Sequence, residues 1–105
     1  MVLSPEHHQQ VEEIFSLTRE MGEQASQKDW EQVAELERQR RDHLESLLKV
    51  VAPEESDEIA EAIRRVLEAD RLIMEVGAEE KLHLMEEILQ IGKGRKASKA
   101  YTETP

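Results

Sequence analysis

The chain has 105 residues, enough for one small domain. A formal net charge of −10 argues against a phosphate-backbone partner, so no nucleic acid is expected, and the absence of cysteine excludes disulfides, thiolate metal sites and thiol chemistry. No apolar run reaches the ~20 residues that cross a bilayer, and the opening MVLSPEHHQQ lacks the apolar core of a signal peptide, so a cytoplasmic protein is expected.

A composition rich in Glu, Leu, Ala, Arg and Gln, with three prolines and four glycines, favours long helices over sheet. The first helix starts with Ser4 as N-cap and Pro5 at the first helical position, where a missing N–H costs nothing. Its apolar and small positions are Val11, Ile14, Phe15, Thr18, Met21, Gly22 and Ala25, one helical face ending near Gln27. The second helix starts at KDWEQ, with Asp29 as N-cap and Gln32 three residues on. Its stripe is Trp30, Val33, Leu36, Glu37, Arg40, Leu44, Leu47, Leu48 and Val51, and Pro53 forces its end. The short first loop makes these two helices antiparallel neighbours.

The third helix opens at Pro53 or Ser56. Its stripe runs Ile59, Ile63, Val66, Leu67, Asp70, Ile73, Met74, Gly77, Lys81, Leu84, Met85, Ile88, Ile91 without a phase slip. GAEEK offers no new N-cap at Gly77, so one helix over about 56–91 is expected, a kink at Gly77 being the rival. Gly92 and Gly94 read as stops. The tail 92–105, four basic residues against one acidic, is then a short fourth helix or a mobile segment beside an acidic body that holds ten Lys and Arg against 23 Asp and Glu. The fold expected is all-α: an antiparallel three-helix bundle over 1–91 with a long third helix, followed by a basic tail over 92–105.

Helix lengths carry the functional argument. With the second turn near 53–54, Trp30 falls level with residue 77, and the remainder of the third helix overhangs the hairpin by roughly 21 Å at ~1.5 Å per residue. Leu82, Leu84, Met85, Ile88, Leu89 and Ile91 lie on that overhang, with Ile73 and Met74 beside it. The tail, a second copy of the chain, a client protein, or a leaning first helix are the occupants that would cover them. The same levelling brings Thr18, Arg40 and Asp70 within one turn, a polar layer in which Arg40 bonds Asp70 or Glu37. A structural ion pair that sets register is the reading, a contact site the rival.

Little else suggests chemistry. EKLH (Glu80–His83) is half of a di-iron motif whose partner half is missing. His7, His8 and His43 read as surface histidines, with Glu12 a weak metal neighbour of the first two. No nucleophile–base pair and no phosphate loop occurs, so no enzyme, cofactor or metal is expected.

KDWEQVAELERQR, then VLEADRLIMEV, then GKGRKASKAY resemble the FliT-type flagellar export chaperones. The resemblance spans roughly residues 11–101 and rests on Asp29, Trp30, Leu36, Glu37, Arg40, Leu67, Asp70 and the basic-Ala-x-x-Ala-Tyr run ending at Tyr101. It implies a cytoplasmic type III export chaperone that binds the helical C-terminal region of the filament cap protein. Such a chaperone prevents premature assembly and delivers its client to the export gate and the export ATPase complex. By the same resemblance the tail restrains the partner-binding surface, Tyr101 docks to the export gate, and some members antagonise the flagellar master transcriptional regulator. The alternatives are a dimeric helical adaptor or scaffold, which is a homodimer, and a regulator's antagonist.

Overall fold

The structure, a computed structural model, describes the backbone of residues 3–49 and 51–103 and the side chains of residues 3–49 and 51–92. Three helices account for it: α1 (Pro5–Ser26), α2 (Trp30–Lys49) and α3 (Ser56–Glu103), with a 3₁₀ turn at Pro53–Glu55 leading into α3. No strand occurs among the described residues.

Local chemistry sets the boundaries. The Ser4 hydroxyl accepts from the His7 N–H at 3.2 Å, and Pro5 occupies the first position of α1. At the other end the Lys28 N–H donates to the Ala25 carbonyl and the Asp29 N–H to the Gln24 carbonyl, both at 3.0 Å. That pair of bonds is a Schellman closure, and it puts Lys28 in the left-handed region at φ 62°. Asp29 then caps α2, its Oδ1 accepting from the Gln32 N–H at 3.2 Å. Ala52, which precedes Pro53, is extended at φ −73° and ψ 146° as the proline ring requires.

Two apolar clusters hold the helices together. Near the α2–α3 turn, Val11, Ile14, Leu47, Ile59, Ala62 and Val66 form the larger one, flanked by Leu3, Phe15, Leu44, Val51 and Ile63. Toward the α1–α2 turn, Leu17, Met21 and Leu36 form the smaller, with Val33 and Ile73 against it. Leu17 is a core residue that the expected stripe passed over, because the α1 face against α2 is wider than its face against α3.

The third helix is unbroken at Gly77, and the levelling holds: a β-carbon built on Gly77 would lie 3.5 Å from the Trp30 ring. The expected stop after Ile91 is not there. α3 passes through Gly92 and Gly94 to Glu103, so neither a turn nor a separate fourth helix intervenes. Each glycine costs only about 1 kcal/mol against alanine, and an already nucleated helix rich in Lys, Arg and Ala propagates through it. At 48 residues α3 is about 72 Å long, against about 33 Å for the 22 residues of α1. The molecule accordingly measures 78 × 20 × 20 Å.

Candidate functional site

The mismatch in helix length leaves one end of α3 unsupported. Every residue from Lys81 to Gly92 is exposed. Ile88 is 65% exposed, Leu89 62%, Leu82 60%, and Leu84, Met85 and Ile91 are each about half exposed. Nearer the bundle, Met74 points outward at 72% exposure, whereas Ile73 is half-buried against the smaller cluster. Leu84, Ile88 and Ile91 prolong the stripe that, lower on the helix, carries Ile59 and Val66 into the core. Their side chains find no hairpin at that height.

The junction between bundle and arm is built around Trp30. Its ring packs over Gly77, and its indole N–H donates to the Glu80 carboxylate one turn further along α3. A large side chain at residue 77 would hold the ring away. A β-carbon alone would still fit, in ordinary contact with the ring.

A polar layer separates the two apolar clusters. Arg40 is 5% exposed and directs two parallel N–H donors, each at 2.7 Å, onto the two carboxylate oxygens of Asp70. The same guanidinium donates to the Thr18 hydroxyl at 3.2 Å, and that hydroxyl donates in turn to the Ile14 carbonyl at 2.7 Å. The fork-to-fork geometry fixes both distance and angle between α2 and α3. Arg40 Nε is buried without a partner, one cost of the arrangement. Glu37 is not part of the layer; it accepts from Arg41 on its own helix, at 2.6 Å.

A second polar cluster, which the sequence reading did not identify, secures the opposite end. Glu55, 5% exposed, accepts from the Ser4 N–H at 3.0 Å and lies 2.8 Å from His7 Nδ1, both through Oε2. Its other oxygen reaches back to the Ala52 N–H at 3.4 Å. The Ser4 amide, and then the His7 ring, hold this carboxyl below its ordinary 4.5. His7 is therefore half-buried and paired instead of lying on the surface. The local signal was Pro-Glu-Glu-Ser at residues 53–56, where a glutamate three positions after Ala52 can close back on the chain. Its long-range partners have no local signature.

Two further histidines lie away from both polar clusters. His43 is half-buried beside Gln9, Gln10 and Glu13 of α1, a correction to the outward placement expected for it. His83 is exposed and lies 3.2 Å from Glu87 of its own helix, away from any second Glu-x-x-His. Among the described residues no group of His, Asp and Glu is arranged to hold a metal ion, and no helix is long and apolar enough to cross a membrane.

The sequence profile of the family described as Flagellar protein FliT matches residues 8–103, from the first turn of α1 to the end of α3. The chain belongs to the FliT family. No curated protein and no solved structure matches it. FliT membership carries the role of a non-catalytic chaperone in flagellar export, with partners in that export system. The positions on which the resemblance was read have definite places in this fold: Asp29 and Trp30 open α2, Leu36 lies in the smaller cluster, and Arg40 and Asp70 form the interhelical fork. Leu67 is exposed on α3. The side chain of Tyr101 lies outside the described residues.

Proposed function

We propose that this FliT-family chaperone is cytoplasmic and captures the helical C-terminal region of the filament cap protein on the α3 arm. The client helix lays its apolar side along Leu82, Leu84, Met85, Ile88, Leu89 and Ile91, and continues past Met74 and Ile73 at the junction. The arm's uncovered apolar surface is the observation that supports this reading. Burying one such side chain is worth ~1.5–3 kcal/mol, so a handful of them is enough for a stable but reversible complex. Methionine suits such a surface, because its thioether adapts to different neighbours. Occupation of the client's helix also blocks its premature assembly.

In the same proposal residues 92–105 are the regulatory segment. Tyr101 presents the loaded chaperone to the export gate, and the export ATPase complex is the further station. Antagonism of the flagellar master regulator would use the same arm. The test is calorimetry of the purified chain with the C-terminal region of the cap protein. The Leu84→Glu/Ile88→Glu double variant, whose positions are exposed, is expected to keep its helix content and lose at least tenfold in affinity. Deleting residues 93–105 is expected to tighten binding. If the double variant binds as wild type does, the arm is not the client site. If the wild type instead sediments as a closed dimer that the double variant opens, the arm pairs with a second copy.

A further inference from the structure

The arm is not the only apolar surface without a cover. Along the flank where α1 and α3 meet lies an open groove of about 460 Å³, floored by Ala25, Val66 and Ala69 and walled by Phe15, Leu72 and Val76. Gly22 leaves it open on the α1 side: a β-carbon there would meet nothing within 4 Å. Leu72 is 51% exposed, and Val76 also opens to solvent. This groove lies on the bundle, beside α1, and meets the proposed client path at Ile73, which also lines it; the arm residues 81–91 lie outside it.

Two arginines, Arg19 of α1 and Arg65 of α3, also line it. Their state sets them apart. Arg38, Arg40, Arg41, Arg64 and Arg71 each form an ion pair with a carboxylate. Among the described residues, Arg19 and Arg65 are the arginines that form none, in a chain with 24 acidic residues. Arg65 rests over the Phe15 ring, 5.8 Å from its centroid, with its charge left available. The groove thus joins an apolar floor to two guanidinium groups without an ion pair, on opposite walls; on its outer side Arg65 also borders a cleft lined by Glu12, Glu58 and Glu61.

We propose that this groove is a second docking surface, for an amphipathic helix of another protein that inserts its apolar side between α1 and α3 and pairs flanking carboxylates with Arg19 and Arg65. Charge selects the occupant. The basic segment 92–105 would bring like charge to the two guanidinium groups, so the chain's own tail is disfavoured. An acidic helix satisfies both groups at once, in the bidentate manner a guanidinium favours. Arginine-rimmed apolar grooves read a helix by its carboxylate spacing as well as its apolar stripe.

The test is an NMR titration of the full chain with two synthetic helical peptides. They share one leucine–alanine stripe, and their flanking positions are glutamate in one and lysine in the other. The glutamate peptide is expected to shift the amides of Gly22, Ala69 and Val76, to bind at least tenfold more tightly than the lysine peptide, and to weaken as salt is raised. Arg19→Glu/Arg65→Glu, at exposed positions, is expected to reverse the preference. Gly22→Leu, which fills the opening without straining a helix, is expected to abolish binding. The Leu84→Glu/Ile88→Glu variant is expected to leave the glutamate peptide's affinity unchanged, which separates this groove from the arm. Equal affinity for both peptides, no binding of either, or shifts confined to residues 81–91 overturn the proposal. So does self-association abolished by Gly22→Leu, which makes a second copy the occupant, or opening of the groove only after removal of 93–105, which makes it the tail.

Discussion

Arg40 shows how a single side chain enforces register in an otherwise apolar interface. Its guanidinium is buried, whereas the Asp70 side chain is 29% exposed, so water reaches one member of the pair. Removing the partner leaves a buried charge with only the Thr18 hydroxyl. Asp70→Leu is therefore expected to cost about 3 kcal/mol, the lower part of the range for broken buried pairs. Replacing both, as Arg40→Met/Asp70→Leu, is expected to return stability to within about 1 kcal/mol of wild type while loosening the alignment of α2 and α3. Urea unfolding of wild type, Arg40→Met, Asp70→Leu and the double variant completes the cycle. Glu55 differs in being tied to backbone as well as to a ring. Because its carboxyl is held below its ordinary 4.5, its stabilising effect is complete above that pH and fades as pH falls through the lowered value. Glu55→Gln is expected to melt at a lower temperature than wild type at pH 7, with the gap narrowing as pH falls below 4.5. Melts that differ equally at both pH values would leave Glu55 without an ionic role.

Among the elements, α3 is the one whose behaviour sequence patterning foretold in part. Its continuity past Gly77 was legible because the apolar steps of three and four never slip there. Its continuity past Gly92 was not. Two glycines in three residues look like a stop when the energy of stopping is left out, and no capping partner favours one here. Gly77→Ala isolates that energy. The added β-carbon would meet the Trp30 ring at an ordinary 3.5 Å, so alanine's higher helix propensity is expected to raise stability by about 0.5–1 kcal/mol. A loss instead would mean that Trp30 requires the glycine surface itself. The interhelical fork was legible too, since Thr18, Arg40 and Asp70 are polar intruders in three apolar stripes and chain lengths alone set them level. The groove beside α1 was hidden. Leu72 and Val76 sit off the expected stripe of α3, and Arg19 and Arg65 look like ordinary surface charges until the pairing of the other arginines is known. The Glu55 cluster was hidden for the opposite reason: it joins residues 51 and 48 positions apart, which no local spacing announces.

For the whole molecule, shape and stability are linked. The bundle half of α3 is supported by two helices and two apolar clusters. Among the described residues beyond Glu80, the arm has its own backbone hydrogen bonds and the His83–Glu87 contact within the same helix, and an isolated helix of that length is marginal in water. Amide hydrogen exchange is therefore expected to be slow at Val66 and to quicken by at least a hundredfold between Gly77 and Ile88, although a single helix carries all three. Uniform protection along α3 would show that some other contact braces the arm.

The Trp30 contact then acquires a meaning beyond packing. Trp30 is the chain's one tryptophan, and it stands where the supported part of α3 gives way to the unsupported part. A change in the winding of α3 at Gly77–Glu80 would alter the surroundings of that indole first. Its emission is expected to report, with no label attached, whether the helix stays wound at that junction.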